Sequence, residues 1–173
     1  MASLQQAKVW LKQAKADLLA ALGAPAKPEC HRRYWLQQAY EKALKSLALI
    51  MYSGQPSDPE FLTHFLNHSP LEALEQANKL SKRMHSLARQ VQRFINLRRE
   101  AARLRKIDAT RPSNKDDQVS YRYPFRVGSE LIAPADYDDW DSYQGEWLGV
   151  TSAVSNFIVA VSNELITQAR KPS

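Results

Sequence analysis

Four histidines, one cysteine and a dense run of arginines are the side chains through which this 173-residue chain could do chemistry. Histidine moves protons near neutral pH and ligates metals, and the four are His31, His64, His68 and His85. His64 and His68 lie four apart, a spacing that could present two metal ligands together, but no third ligand is adjacent and the segment is rich in turn residues. The acidic cluster Asp136, Asp138, Asp139 and Asp141 lacks the glycine and closing glutamate of a calcium loop. Cys30 stands alone, so neither an intramolecular disulfide nor a thiolate zinc cage can form, and it reads as a reduced packing residue. No glycine-rich phosphate loop and no G-x-S-x-G element occurs. These residues predict no metal, no cofactor and no assembled catalytic set.

The arginines carry the stronger signal. From Lys79 to Lys115 there are twelve Lys/Arg against two acids, whereas from Asp116 to Val150 there are eight acids against Arg122 and Arg126. The net charge of +6 and pI near 9.5 are modest, so it is this polarisation along the chain that matters. A helix with arginines on one side can neutralise phosphates, with strongly salt-dependent affinity. Arg89, Arg93, Arg98, Arg99, Arg103, Arg105 and Lys106 are the candidate nucleic-acid-binding residues. The competing reading is a solvated face whose charges meet the acidic segment of the same molecule or of a twin subunit. Tyr121, Tyr123, Phe125, Trp140 and Trp147 could offer stacking surfaces, but such residues more often fill a core.

The elements that must position these groups are helices. Ser3 reads as an N-cap for a first helix with Leu4, Ala7, Leu11, Ala14, Leu18 and Ala21 at steps of three and four, ended by Gly23. After a linker with two prolines, a second helix runs from about Glu29 to Tyr52. A short helical piece follows from Pro59 to about Asn67, with Asp58 as cap and Pro59 at its first position. The spacing of Leu80, Met84, Leu87, Val91, Phe94, Leu97, Ala101 and Leu104 predicts one long basic helix over about 70–107, capped by Ser69. A polar loop over about 108–120 and an extended Tyr121–Phe125 piece, which Pro124 favours, come next. Pro134 to Asp141 reads as irregular or a weak helix start, and a last helix is expected from about Ser142 to Arg170. The expected fold is all-α: one domain, an antiparallel up-and-down bundle of four long helices plus a short extra helix.

The second helix carries Gln37, Gln38, Ala39, Glu41, Lys42, Leu44, Lys45 and Leu47 in a pattern that resembles the second-helix signature of HEPN domains. Trp10, Leu11, Ala14, Asp17 and Leu18 are similar to the family's opening helix. Thr63-His64 and Arg122-Tyr123-Pro124 fall where the family often has a T-H pair and an R-Y-P element. The resemblance covers about Leu4 to Leu165 and is loosest over the basic helix. Physically, Ala39 and Ala43 permit close helix approach, Leu44 and Leu47 fill a core, and Glu41 and Lys45 have the favourable order for an ion pair. Buried glutamines at 37 and 38 would need partners.

Many HEPN members cleave RNA without metal through an R-x(4–6)-H motif late in the chain. Here no arginine stands at that spacing before any histidine, and no histidine follows His85. The resemblance therefore implies the non-catalytic branch: a homodimeric interaction module that associates with a small nucleotidyltransferase-type partner or binds nucleotide phosphates. Lys42, Lys45, Arg122 and Tyr123 are the candidate phosphate-binding residues on that reading. The alternatives are a nucleic-acid binder using residues 79–106 and a toxin-like ribonuclease with a displaced site around His85 or His64. No apolar run reaches the ~20 residues of a membrane span, and the opening residues lack the apolar core of a signal peptide. The expected compartment is the cytoplasm.

Overall fold

The structure, a computed structural model, describes residues 2–67, 74, 77–108, 125–127, 130–141 and 145–171. It is mostly helical, as the periodicity predicts. Of the loop expected over about 108–120, Asp108 is the last residue of a helix and the rest lies outside the described residues, as do the cap Ser69 and Tyr121–Pro124. Helix α1 spans Ala2–Gly23 and α2 spans Glu29–Met51. Ser3 therefore sits inside the first turn of α1 rather than capping it. On α1 the residues Ala7, Leu11, Ala14 and Ala21 are buried, and Asp17 is buried beside the half-buried Leu18. The alanines bring the two helices close. Ala7 meets Ser46, Trp10 meets Lys45 and Asp17 meets Lys42, so numbering falls along α2 as it rises along α1, and the pair is antiparallel.

Helix α2 is the centre of the molecule. Every residue from Ala43 to Ile50 is buried, which requires neighbours on all sides rather than one apolar stripe. The last helix, α6 (Trp147–Ala169), supplies one of those neighbours. Arg32 lies over Trp147, and Tyr40 packs edge-on to Phe157 at 5.2 Å, so α6 runs in the same direction as α2. By length and composition α6 could cross a membrane, which the sequence reading did not anticipate. Its Val150, Val154, Phe157, Ile158, Val161 and Leu165 are instead buried in the core, which accounts for its apolarity.

The single long basic helix is not formed. A 3-10 turn at Ala77–Lys79 precedes α4, which spans Lys82–Asn96, and α5 spans Ala101–Asp108. Two interactions set these limits. Ser81 Oγ accepts from the Met84 amide at 3.4 Å and donates to Glu60 at 2.8 Å, capping α4 well after the expected start. Past Asn96 the amides of Arg98 and Ala101 bond to the carbonyls of Ile95 and Arg98, three residues back, which tightens the chain and ends the α-helical ladder. Arg98 seals the break: Nε donates to the Phe94 carbonyl at 3.3 Å while the guanidinium covers the Phe94 ring at 4.3 Å. The redirected α5 lies against α6, with Glu100 accepting from Asn156 and Arg103 crossing Gly149.

Two smaller features complete the frame. The short α3, Pro59–Phe61, is capped as expected by Asp58, which accepts from the Glu60 and Phe61 amides, and a π-helical turn over Leu62–Asn67 follows. The Asp58 carboxylate also accepts from Tyr52 Oη at 2.7 Å and pairs with Arg83, tying α2, α3 and α4 together. Beyond α5, Phe125–Val127 (β1) pairs antiparallel with Glu130–Ile132 (β2), strands that meet the expected extended piece Tyr121–Phe125 only at Phe125. The stretch after it packs Tyr137 and Trp140 on Cys30, whose thiol is pushed up by burial. Arg33, fully buried, holds this stretch to α2 through Glu29 at 2.6 Å, the Gly145 carbonyl at 3.0 Å and Asp141.

Tyr52 stacks on Phe61 with ring centroids 4.2 Å apart, and burial raises its phenol above the usual range. It crosses Gly54 so closely that a Cβ there would stand 2.4 Å from Tyr52 Oη. Gly54→Ala is therefore expected to displace Tyr52 from Asp58 and Phe61 and to destabilise the protein by about 1–3 kcal/mol. Thermal denaturation checks this, and an unchanged melting temperature would contradict it.

Candidate nucleic-acid interface

Two sets of cations were expected to meet phosphate, and the fold treats them differently. Lys42 pairs with the buried Asp17 at 2.6 Å and donates to Gln38 Oε1 at 3.0 Å. Lys45, only 7% exposed, pairs with Glu41 at 2.9 Å and lies 4.9 Å from the centroid of the Trp10 ring. Both ammonium groups are committed to the α1–α2 hairpin. Gln37, also buried, donates to the Ile107 carbonyl at 3.5 Å, so the helix's glutamines are used the same way. Arg122 and Tyr123 lie outside the described residues.

The second set stays largely at the surface. Arg89 and Arg93 project from α4, Arg98 and Arg99 sit in the break, and Arg103, Arg105 and Lys106 belong to α5. All but the half-buried Arg98 are exposed. Among the described residues none of the seven forms an ion pair with a carboxylate. Two members of the acidic segment expected to complement them are engaged elsewhere, Asp138 with Lys27 and Asp141 with Arg33. The seven do not form one site. Arg98 closes the helix break, Arg103 packs across α6, and Arg105 donates to Asn96 at 3.4 Å.

Arg89 and Arg93 do share a site. They line a groove of about 720 Å³ between the exposed side of α4 and the chain through Leu74, Ala77 and Asn78. The groove exists because His85 ties its two banks together: the ring Nδ1 lies 2.8 Å from the Ala77 carbonyl. A carbonyl only accepts, so Nδ1 carries the proton, and Nε2 accepts from Arg89 Nε at 2.8 Å. That second bond holds the Arg89 guanidinium in the groove rather than free in solvent. Among the described residues no carboxylate lines the groove; its remaining described polar groups are the hydroxyl of Ser86 and the amides of Asn78, Gln90, Gln92 and Asn96. Cationic and amide donors of this kind form a surface suited to phosphate oxygens.

The amides and Ser86 were missed in the sequence, although steps of three and four from His85 and Ser86 to Arg89, Gln90, Arg93, Asn96 and Leu97 trace one polar stripe beside the apolar one. His64 is half-buried in the π-helical turn. His68, its possible metal-binding companion, lies outside the described residues, and no metal-binding group of three His, Cys, Asp or Glu occurs among those described.

No family model, no curated protein and no solved structure matches this chain. The HEPN resemblance thus rests on the residues that carry it.

The two sets of cations make opposite predictions. Lys42→Ala leaves Asp17 buried with Gln13 as its remaining hydrogen-bond donor. Breaking a buried pair costs about 3–5 kcal/mol, and the partial exposure of Lys42 lowers this to roughly 2–3 kcal/mol. Chemical denaturation should record that loss. A Lys42→Ala protein of unchanged stability would return Lys42 to the list of uncommitted cations.

Proposed function

We propose that this chain is a non-catalytic, nucleic-acid-binding protein on a HEPN-like bundle, and that Arg89 and Arg93 in the α4 groove are its main phosphate contacts. The observation that carries the reading is a groove that holds Arg89 and Arg93 with no carboxylate among its described lining residues, in a molecule where Lys42 and Lys45 are tied into internal ion pairs. Four long helical segments support the bundle. α1 opposes α2, α2 and α6 run together, and the α4–α5 segment opposes α6, as the pairings of Phe94 with Phe157, Glu100 with Asn156 and Arg103 with Gly149 indicate. Phosphate neutralisation by exposed arginines supplies affinity without any requirement for a cofactor.

On the reading as a nucleotidyltransferase-associated dimer, Lys42 and Lys45 would have to leave Asp17 and Glu41 to meet a nucleotide, and the other two candidates, Arg122 and Tyr123, lie outside the described residues; the groove arginines, which form no ion pair among the described residues, therefore take precedence. A ribonuclease centred on His85 has the His85–Arg89 contact in its favour. The same contact occupies the Nε2 lone pair that a general base needs, while Nδ1 is engaged by Ala77.

Gel-shift titration across salt concentrations tests the proposal. Affinity should fall linearly on logarithmic axes, and the Arg89→Ala/Arg93→Ala protein should bind more weakly with a slope lower by roughly one unit per arginine removed. Lys12→Ala, at an exposed position of α1, should leave binding unchanged. No binding at low salt, or a double variant indistinguishable from the parent, would refute the proposal.

A further inference from the structure

Resting on the nucleic-acid reading, we infer that the α4 groove takes an unpaired strand and contacts its bases as well as its phosphates. The shape of the groove favours a single strand. To read a duplex a helix must protrude into the major groove, which admits an α-helix whose side chains reach base edges. The polar side of α4 is recessed instead. Leu74, Ala77 and Asn78 line the side facing it; Ala77 is held there by its bond to His85, and Ser81 a few residues on by its amide and hydroxyl, which both donate to Glu60. A volume of about 720 Å³ lies within the range of small-ligand sites, roughly 300–1,000 Å³. That is room for a short stretch of one strand and not for a double helix.

The chemistry of the groove's walls favours one as well. A site that only tracked phosphates would need cations alone. This groove places Gln90 and Asn96 on the same exposed side of α4 as Arg89 and Arg93, with Asn78 on the opposite bank. Carboxamides present a donor and an acceptor side by side, the complement of a base edge, and only unpaired bases expose their pairing edges. Their internal bonds are weak: Gln90 Nε2 stands 3.5 Å from Ser86 Oγ, and Asn96 Oδ1 accepts from Arg105 at 3.4 Å. Both amides can turn to a ligand at little cost. Leu97 at the groove's end is 71% exposed and offers an apolar surface to a base face that a duplex would keep stacked.

Fluorescence anisotropy with a labelled unpaired RNA oligonucleotide, and with the same strand annealed to its complement, tests the inference. The intact protein should bind the unpaired strand at least about tenfold more tightly. Gln90→Ala/Asn96→Ala should weaken binding to the unpaired strand by about tenfold while leaving the salt slope unchanged, because it removes no charge. Circular dichroism of the double variant confirms that these surface changes leave the fold intact. A duplex that binds as tightly as the unpaired strand, or a double variant with parental affinity, would overturn the inference and leave the nucleic-acid reading standing. Binding to neither form would overturn the nucleic-acid reading itself.

Discussion

A helix buried on every side must satisfy each polar group it carries from its neighbours, and α2 is such a helix from Ala43 to Ile50. Ser46 donates to the Ala7 carbonyl at 2.9 Å. Lys45 sits between Glu41 and Trp10, and Lys42, one turn from Ser46, neutralises the buried Asp17. These contacts set how far along α2 the first helix lies. An ion pair of this kind adds little stability over an apolar alternative, but losing one partner is costly, which makes the alignment specific. The remaining elements are arranged around the α1–α2 hairpin.

The same constraint decides which cations are available. Charges near α2 are consumed by folding: Lys42 and Lys45 along its length, and Arg33 near its start with Glu29 and Asp141. On α4, Arg83 is used in the same way with Asp58, but Arg89 and Arg93 form no ion pair among the described residues. Its apolar residues Met84, Leu87, Val91 and Phe94 face the core, so Arg89 and Arg93 are turned outward by the helical period. Ser81 sets where α4 begins and Arg98 where it ends. Between those two points His85 converts a convex helix surface into a recessed one. The groove is thus a consequence of capping and of one histidine, and its positive character comes from Arg89 and Arg93, with no carboxylate among its described lining residues.

The helices over 2–23, 29–51 and 147–169 are legible in the sequence because each shows apolar steps of three and four or a clear stop. Asp58-Pro59 announces its short helix in two residues. The division of the basic segment is not legible. Between Phe94 and Leu104 there is neither proline nor glycine, and the apolar period continues unbroken. The break is closed locally by Arg98 on Phe94 and accompanied by long-range contacts, Glu100 with Asn156 and Arg103 over Gly149, which period and propensity do not register. The burial of Arg33 is likewise hidden, since its partners Asp141 and Gly145 lie far along the chain. For the site, the arginine-rich face is apparent, but the sequence weighs all seven cations equally. Separating Arg89 and Arg93 from Arg98 and Arg103 requires knowing what each side chain touches.

The central claim is that the uncommitted surface of α4, and not the hairpin, meets nucleic acid. Ultraviolet cross-linking to a thiouridine-substituted strand, followed by mass-spectrometric mapping of the joined peptides, tests it most directly because it needs no substitution in the protein. Cross-links within residues 77–97 are the predicted result. Cross-links confined to residues 2–51, with none on α4, would contradict the account.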